Sequence, residues 1–398
     1  MLFKGAAFAI ASLATLAIST AVQAASSSKH RLTAYVVDWA LPVSIHWDML
    51  DHVHYAFAIP DSDGNLSGFD SSQLKSVVKE AHTHEKGISL SVGGWTGSLH
   101  FSGLVRTASK REAFADVLVE TCKQYDLDGL DIDWEYPNDP NGVSCNEKDE
   151  NDTPNFLEFL KVLRKKLDAT FKNERKWISA SVGATVFKGS NQESLSKLDS
   201  EWGTVLDAFQ IMCYDLTGYW AEKTGANAPL RGGSADSSVE QAVEAWHSAG
   251  IPYDRIVVGV PFYGYTGLTT KPVTKHAMQV PINHSKPQIK GDKYDTEEAD
   301  PCPGAKASYS GEFQWRAIQE EGILHNKNGW KSYWDASTET PYAYNAAKKQ
   351  FVTFDDPHSL SAKAKYAKEL NLQGIMLWSL DMDDSRHSLL KALQDIRA

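Results

Sequence analysis

Short apolar runs rich in β-branched and aromatic residues recur along this chain and alternate with stretches of helical periodicity. Helical patterns cover 111–124, 155–171, 237–249 and 359–371. Strands separated by helices pair in parallel, and eight such units predict an α/β fold, a (β/α)8 TIM barrel. The eight predicted strands are 32–38, 52–59, 87–94, 126–135, 177–184, 207–215, 254–264 and 373–380.

An open, doubly wound sheet is the alternative, but no Gly-x-Gly-x-x-Gly follows the first strand. The seventh and eighth strands are too far apart in the sequence for an ordinary loop. We therefore predict that an α+β subdomain is inserted between them. The barrel is predicted to comprise 25–265 and 345–398, and the insertion 266–344, which is rich in Tyr, Trp, Lys, Gly and Pro.

The segment Asp-Gly-Leu-Asp-Ile-Asp-Trp-Glu-Tyr-Pro, residues 128–137, carries the strongest chemical signal. Its acids Asp131, Asp133 and Glu135 alternate with apolar residues, which predicts a strand with all three acids on one face. Like charges so close together should raise at least one pKa, which is what general acid catalysis needs. A solvated acidic edge or a calcium site is the alternative, although the spacing and central Gly of an EF-hand are absent.

The acid cluster falls at the carboxyl end of the fourth predicted strand, the end at which such barrels place their active sites. Other predicted strands end in polar and aromatic residues. Aromatic rings that converge on carboxylates are typical of a sugar-binding cleft. The segments are Ser91-Val92-Gly93-Gly94-Trp95, Met212-Cys213-Tyr214-Asp215, Phe262-Tyr263-Gly264 and Met376-Leu377-Trp378.

Composition excludes several classes of function. The net charge of -11 makes nucleic acid an unsuitable partner, whereas a neutral ligand is compatible with it. No cluster of His, Cys and acidic residues has metal-ligand spacing, and no phosphate-binding loop is present. We expect no metal, no cofactor and a monomer.

The amino terminus has the pattern of a cleavable signal peptide, residues 1–24, with Lys4, an apolar stretch and a small-x-small site before Ala25. A membrane anchor is the alternative. We therefore expect a secreted protein with no membrane contact after cleavage. Cys145 and Cys302 are predicted to form a disulfide, and Cys213 to be a buried thiol. Glycosylation acceptor patterns begin at Asn65, Asn151 and Asn283.

Together these motifs resemble glycoside hydrolase family 18, the chitinases and their relatives. The matching segments are Asp-Gly-Leu-Asp-Ile-Asp-Trp-Glu at the fourth strand, Ser-Val-Gly-Gly at the third, Met-Cys-Tyr-Asp at the sixth and Trp378 at the eighth, in order. The insertion resembles the chitinase insertion domain. One departure is Tyr265, where many members carry Arg.

The resemblance implies roles for the catalytic residues. Glu135 should protonate the leaving oxygen and then activate water, while Asp133 should orient the acetamido group of the substrate. Asp131 should share a proton with Asp133, and Tyr214 should donate to the acetamido oxygen. Asp128 more plausibly supports the motif's structure. The residues expected to bind substrate are Trp378, Asp215, Met212, Tyr35, Trp95, Gly94, Trp220 and Trp134, with Trp39 as a further subsite candidate.

The implied function is hydrolysis of β-1,4 bonds between N-acetylglucosamine units in chitin and its oligomers, with retention and substrate assistance. One alternative is an inactive chitin-binding lectin, although such relatives usually lack the terminal Glu that is present here as Glu135. Another is an endo-β-N-acetylglucosaminidase acting on glycoprotein glycans, although those relatives generally lack the insertion.

Overall fold

The computed structural model describes residues 30–42, 44–232 and 237–397. Its centre is a closed barrel of eight parallel strands, in which β1 pairs with both β2 and β14. The predicted (β/α)8 barrel is therefore confirmed. The barrel strands are β1 Arg31–Val37, β2 His52–Pro60, β4 Gly87–Gly93, β5 Gly129–Asp133, β6 Trp177–Gly183, β7 Ala208–Met212, β8 Ile256–Pro261 and β14 Gly374–Trp378; the two-residue β3, Leu66–Ser67, pairs with β2.

Several strands end earlier than the sequence pattern predicts. In the fourth barrel strand, Asp133 pairs with Gly93 on one side and Ser181 on the other. The strand ends at Asp133, so Glu135 lies in the loop that follows. The sixth barrel strand likewise ends at Met212, which places Tyr214 and Asp215 in the loop after it.

Helices surround the barrel, and their ends follow from local capping. The Asp70 carboxylate accepts the backbone N–H groups of Ser72 and Gln73 at the start of α1, and Ser238 caps α6 in the same way. Asp356 and Ser359 form a capping box at the start of α8. The helices are α1 Ser71–Thr83, α2 Phe101–Val105, α3 Ala108–Tyr125, α4 Asp152–Thr170, α5 Trp202–Val205, α6 Val239–Ser248, α7 Trp315–Glu320, α8 Pro357–Glu369 and α9 Ser388–Leu393.

The insertion between β8 and β14 is built on an antiparallel five-stranded sheet, which supports the predicted α+β subdomain. The sheet extends beyond the predicted range 266–344 at both ends. The reason is that the chain leaves and re-enters the barrel as neighbouring strands, with Tyr265 opposite Thr353. The sheet order is β10 Glu312–Gln314, β9 Tyr263–Leu268, β13 Gln350–Thr353, β12 Thr340–Asn345 and β11 Trp330–Asp335.

The cysteine predictions are confirmed. Cys145 and Cys302 form a disulfide with their Cα atoms 5.6 Å apart, and Cys122 and Cys213 are buried free thiols. The predicted signal peptide lies outside the described residues. Among those residues, no helix combines the length and apolar character needed to cross a bilayer.

A buried ion pair ties α8 to the chain that leaves the insertion. The Lys363 ammonium donates to both carboxylate oxygens of Asp355, at 2.6 and 2.7 Å, and both side chains are shielded from solvent. We expect Lys363→Met to lower the free energy of unfolding by about 3–5 kcal/mol, because it leaves a buried carboxylate without its charge partner. Chemical denaturation measures this loss.

The matched control is Lys166→Ala on the surface, where Lys166 pairs with the exposed Asp116. That change should cost less than about 1 kcal/mol. Equal losses in the two variants would contradict the importance assigned to the buried pair.

Candidate active site

The three acids at the end of the fourth barrel strand lie at increasing depth, from the mouth of the barrel to its interior. Asp131 and Asp133 are buried, whereas Glu135 is partly exposed at the mouth. Asp131 and Asp133 share the inward face because side chains two apart on a strand point the same way. The predicted cluster is therefore assembled, with Glu135 as the member that solvent can reach.

Asp131 is held by hydrogen-bond donors from four other strands of the barrel. Its Oδ2 accepts the hydroxyls of Tyr35 at 2.5 Å and Ser91 at 2.8 Å. Its Oδ1 accepts the Ser179 hydroxyl at 2.7 Å and the Gln210 amide at 2.8 Å. Asp131 takes none of these bonds from Asp133, so the proton sharing between the two acids stays a prediction.

Asp133 is buried without a compensating partner. Its Oδ1 has no hydrogen-bond partner within the described part of the chain. Burial, reinforced by the charges of Glu135 and Asp131, raises the pKa of Asp133 well above its ordinary value. Burial thus adds to the crowding predicted from the sequence, and both favour the protonated form of Asp133 in the free protein.

Glu135 has the pKa of a group that can both give and take a proton near neutrality. Burial raises its pKa to about 7, a hydrogen bond with Tyr136 opposes this shift, and the charge of Asp215 adds to it. Its backbone N–H donates to the Ser98 hydroxyl at 2.8 Å, and its carbonyl accepts the Asn146 amide at 2.9 Å. The main chain of the acid is thus fixed from both sides.

Met212 is the last residue of the sixth barrel strand and Tyr214 lies in the loop after it; both are largely buried. Burial, together with the charges of Asp133, Asp215 and Glu135, raises the pKa of Tyr214 well above its ordinary value. Its phenol therefore stays protonated. Within the described residues that hydroxyl makes no hydrogen bond, so it is available as a donor to a ligand.

Asp215 adopts a left-handed backbone conformation, with φ of 58°. Its Oδ1 accepts two phenolic hydroxyls, from Tyr263 at 2.6 Å and Tyr265 at 2.9 Å. Tyr265, the departure noted in the sequence, thus supplies the second hydroxyl. Glu312 lies opposite Tyr265 in the sheet, and burial raises its pKa to about 8.

Trp378 forms an aromatic floor at the end of the eighth barrel strand. Its ring stacks on Phe57, with centroids 5.4 Å apart and planes inclined by 18°, and contacts Tyr35 at 5.2 Å. Three further indoles are exposed around the mouth: Trp39 at 65%, Trp95 at 41% and Trp220 at 59%. Exposed rings above buried acids form the kind of groove that sugar rings stack in.

Three residues expected to bind substrate make contacts within the protein itself. Trp134 is buried and stacks on Phe101 with centroids 5.4 Å apart, because strand alternation points it away from the acids. Tyr35 is also buried, and its hydroxyl is committed to Asp131. The Gly94 N–H donates to the Asp133 carbonyl, and its φ of +79° brings the backbone against the Phe57 ring. The assignment of these three residues to substrate binding stays a prediction.

Several residues that shape the site were missed. The fifth and sixth barrel strands supply three of them, Ser179, Ser181 and Gln210, whose side chains hydrogen-bond to Asp131. The period-two pattern that revealed the acids also places these side chains inward. Phe57 and Ser98 carry no such signal. Within the described residues no group of His, Cys and acidic side chains is arranged to hold a metal ion.

The sequence profile of the glycosyl hydrolases family 18 matches residues 25–383. The chain belongs to this family. It is therefore a glycoside hydrolase of the chitinase family, which agrees with its barrel and with the acids at the end of the fourth strand.

Relatives of this family 18 chain are similar over most of its length. It is 34% identical to a chitinase-like effector of Moniliophthora roreri, covering 92% of each chain. Its fold matches a chitinase of Rhizomucor miehei with a TM-score of 0.89 and 52% identity, over 93% of this chain and all of that one. A Group II chitinase catalytic domain from Ostrinia furnacalis, solved as a mutant with (NAG)5, matches with a TM-score of 0.77 and 26% identity, over 92% of this chain and 96% of that one.

Proposed function

We propose that this family 18 enzyme hydrolyses β-1,4 bonds between N-acetylglucosamine units of chitin and chitooligosaccharides, with retention. The observation that carries the proposal is the pair formed by Glu135 and Asp133. A partly exposed acid with a pKa of about 7 lies above a buried carboxyl that has one unpartnered oxygen. The first is suited to protonate a leaving group, and the second to accept a hydrogen bond from a bound group.

A substrate-assisted route fits this arrangement, as it does in family 18 generally. An ordinary retaining glycosidase needs a second carboxylate as nucleophile on the far side of the bond. Asp215 is the nearest candidate, but two tyrosine hydroxyls occupy its Oδ1 and weaken it as a nucleophile. The acetamido oxygen of the substrate is then the nucleophile, and it closes an oxazolinium ring on the anomeric carbon.

The proton inventory of the proposed cycle balances. Glu135 gives its proton to the glycosidic oxygen as that bond breaks, and its carboxylate later removes a proton from the water that opens the ring. Asp133 passes its proton to Asp131 as the substrate binds and recovers it when the product leaves. In between, its carboxylate accepts the acetamido N–H and stabilises the positive charge of the ring. Tyr214 donates to the acetamido oxygen, and Trp378 packs against the acetamido methyl. Trp39, Trp95 and Trp220 provide stacking surfaces for further sugar units.

An inactive chitin-binding protein is the second candidate function, because the chain is also similar to proteins named chitinase-like effectors. The presence of Glu135, with a pKa of about 7, favours a catalytically active chitinase over an inactive binding protein. An endo-β-N-acetylglucosaminidase is the third, and the complete insertion favours chitin over it. We further propose that the protein is secreted, since the Cys145–Cys302 disulfide suits an oxidising compartment, and that it acts as a monomer.

The test is a product time course on N-acetylglucosamine hexamer, with the anomers separated by chromatography. We expect shorter oligomers whose new reducing ends appear first as the β-anomer. Early α-anomer would contradict retention. An intact hexamer that nevertheless binds in calorimetry would identify a lectin, and cleavage restricted to glycoprotein glycans would identify the third function.

A further inference from the structure

A loop of the insertion reaches across to the catalytic strand end. We call residues 298–308 the Cys302 loop; Glu298 and Ser308 exchange backbone hydrogen bonds at its base, at 3.1 and 2.9 Å. At its tip, Cys302 is bonded to Cys145, which precedes Asn146. Asn146 in turn donates to the Glu135 carbonyl. The disulfide therefore joins the insertion to the loop that supports the acid.

The same loop holds one of the exposed indoles. The Trp95 Nε1–H donates to Asp300 Oδ1 at 2.9 Å, and Asp300 lies two residues before Cys302. Trp95 is 41% exposed, whereas Trp39 and Trp220 are more exposed. In the described part of the chain, the indole N–H groups of Trp39 and Trp220 donate no hydrogen bond. Trp95 is thus the one of the three whose ring orientation is fixed by a polar contact.

The turn that carries Trp95 is itself attached to the catalytic acids. The Gly94 N–H and the Ser98 hydroxyl both donate to the Asp133 carbonyl, at 2.8 and 3.3 Å, and Ser98 also accepts the Glu135 N–H. The Trp95 backbone is therefore anchored to the acids, while its side chain is anchored to the Cys302 loop. Asp300 decides only the direction in which the indole plane faces.

We propose that Asp300 is a positioning residue for substrate binding, and that the Cys145–Cys302 disulfide keeps it in place. Its contact holds the Trp95 indole in the orientation that stacks on a sugar unit beside Glu135. The proposal rests on the proposed function and adds a specificity-determining contact to it. Fixing the ring before the sugar arrives removes the entropy loss of ordering it during binding.

The kinetic test compares Asp300→Ala with Asp300→Asn, which keeps an oxygen acceptor at the same place. On N-acetylglucosamine hexamer, Asp300→Ala should raise KM roughly threefold to tenfold, the range expected for loss of one hydrogen bond, with kcat within about twofold. Asp300→Asn should restore KM. Glu297→Ala changes an exposed acid at the base of the same loop and is the matched control, with KM unchanged.

A double-mutant cycle ties the effect to the indole. In a Trp95→Ala background, Asp300→Ala should have no further effect on KM, because the group it positions is gone. Replacing both Cys145 and Cys302 by Ser should raise KM as Asp300→Ala does. Unchanged KM in Asp300→Ala, or an additive loss in the Trp95→Ala background, would overturn the proposal.

A readout without turnover separates this proposal from the function on which it rests. The indole N–H resonance of Trp95, assigned from the Trp95→Phe spectrum, should shift in Asp300→Ala and in the double Cys variant but not in Glu297→Ala. If wild-type protein cleaves hexamer and the resonance does not move, the positioning proposal fails. If the resonance moves and no oligomer is cleaved, the proposed function fails instead.

Discussion

Glu135→Gln is expected to bind N-acetylglucosamine hexamer as the wild type does and to hydrolyse it at least ~10²-fold more slowly, the low end for a lost acid–base group. The amide has nearly the shape of the carboxyl, so the cleft is preserved, but it cannot give a proton to the leaving oxygen. Steady-state kinetics measures the loss of turnover, and calorimetry measures the affinity for the hexamer. Turnover within threefold of wild type would remove Glu135 as the acid.

The dependence of kcat/KM on pH identifies the group directly, because it reports the pKa values of the free enzyme. Glu135 is the acid in its protonated form, and its pKa is raised to about 7, so kcat/KM should fall as the pH rises through about 7. Glu312 is the matched control, because its carboxyl also has a raised pKa, of about 8, and lies opposite Tyr265. Glu312→Gln should leave the fall near pH 7 in place. If that fall disappears in Glu312→Gln, it was assigned to the wrong carboxyl.

Asp133→Asn should be the second damaging change, with turnover about 10²–10³-fold lower, the usual range for loss of a group that stabilises developing charge. The variant no longer carries the carboxylate that orients the acetamido group and faces the oxazolinium charge. Hexamer hydrolysis at a normal rate would contradict the substrate-assisted route for this enzyme.

Stability distinguishes this functional role from a structural one. The pKa of Asp133 is raised on folding, so this group binds more proton in the folded than in the unfolded state above about pH 4, and its contribution to stability declines as the pH rises. Asparagine has no such dependence. Asp133→Asn should therefore unfold at pH 7 with a free energy equal to or above that of the wild type.

Asp131→Asn provides the contrast on the same strand. Both oxygens of Asp131 accept hydrogen bonds, and an amide would turn its own N–H groups toward the hydroxyl of Tyr35 or the amide of Gln210. We expect this variant to lose about 1–3 kcal/mol of unfolding free energy. Equal stability of the two variants would contradict the different environments assigned to the two acids.

The sequence was sufficient for the barrel and for the acids because both depend on short-range periodicity. Alternation along the fourth strand placed Asp131 and Asp133 inward, and the same rule, applied consistently, would have placed Trp134 outward. Its assignment to substrate binding came from its neighbours in the motif and not from its position on the strand. The insertion's sheet extends beyond the predicted range because an apolar run does not reveal which sheet it joins. Tyr263–Leu268 directly follows the seventh barrel strand in the sequence, but it pairs with Gln350–Thr353 in the sheet of the insertion.

Other parts of the site depend on contacts between distant residues, which no local pattern encodes. Trp95 and Asp300 are 205 positions apart, and their hydrogen bond exists only because the insertion folds back over the barrel. The Phe57 ring beneath Trp378 comes from a strand at the other end of the chain. The cis peptide bonds at Ala56–Phe57, Glu135–Tyr136 and Trp378–Ser379 also have no sequence signal, since none of them is a bond to the nitrogen of a proline.

The strand Tyr263–Leu268 belongs both to the sheet of the insertion and to the support of the active site. Its first residues supply the two phenols that hold Asp215, while its later residues form the ladder with Gln350–Thr353. A gene rearrangement that excised the insertion at its sheet boundaries would also remove that support from the barrel's mouth. The subdomain is therefore not an exchangeable module, and its evolutionary history and that of the Asp215 loop are expected to be one.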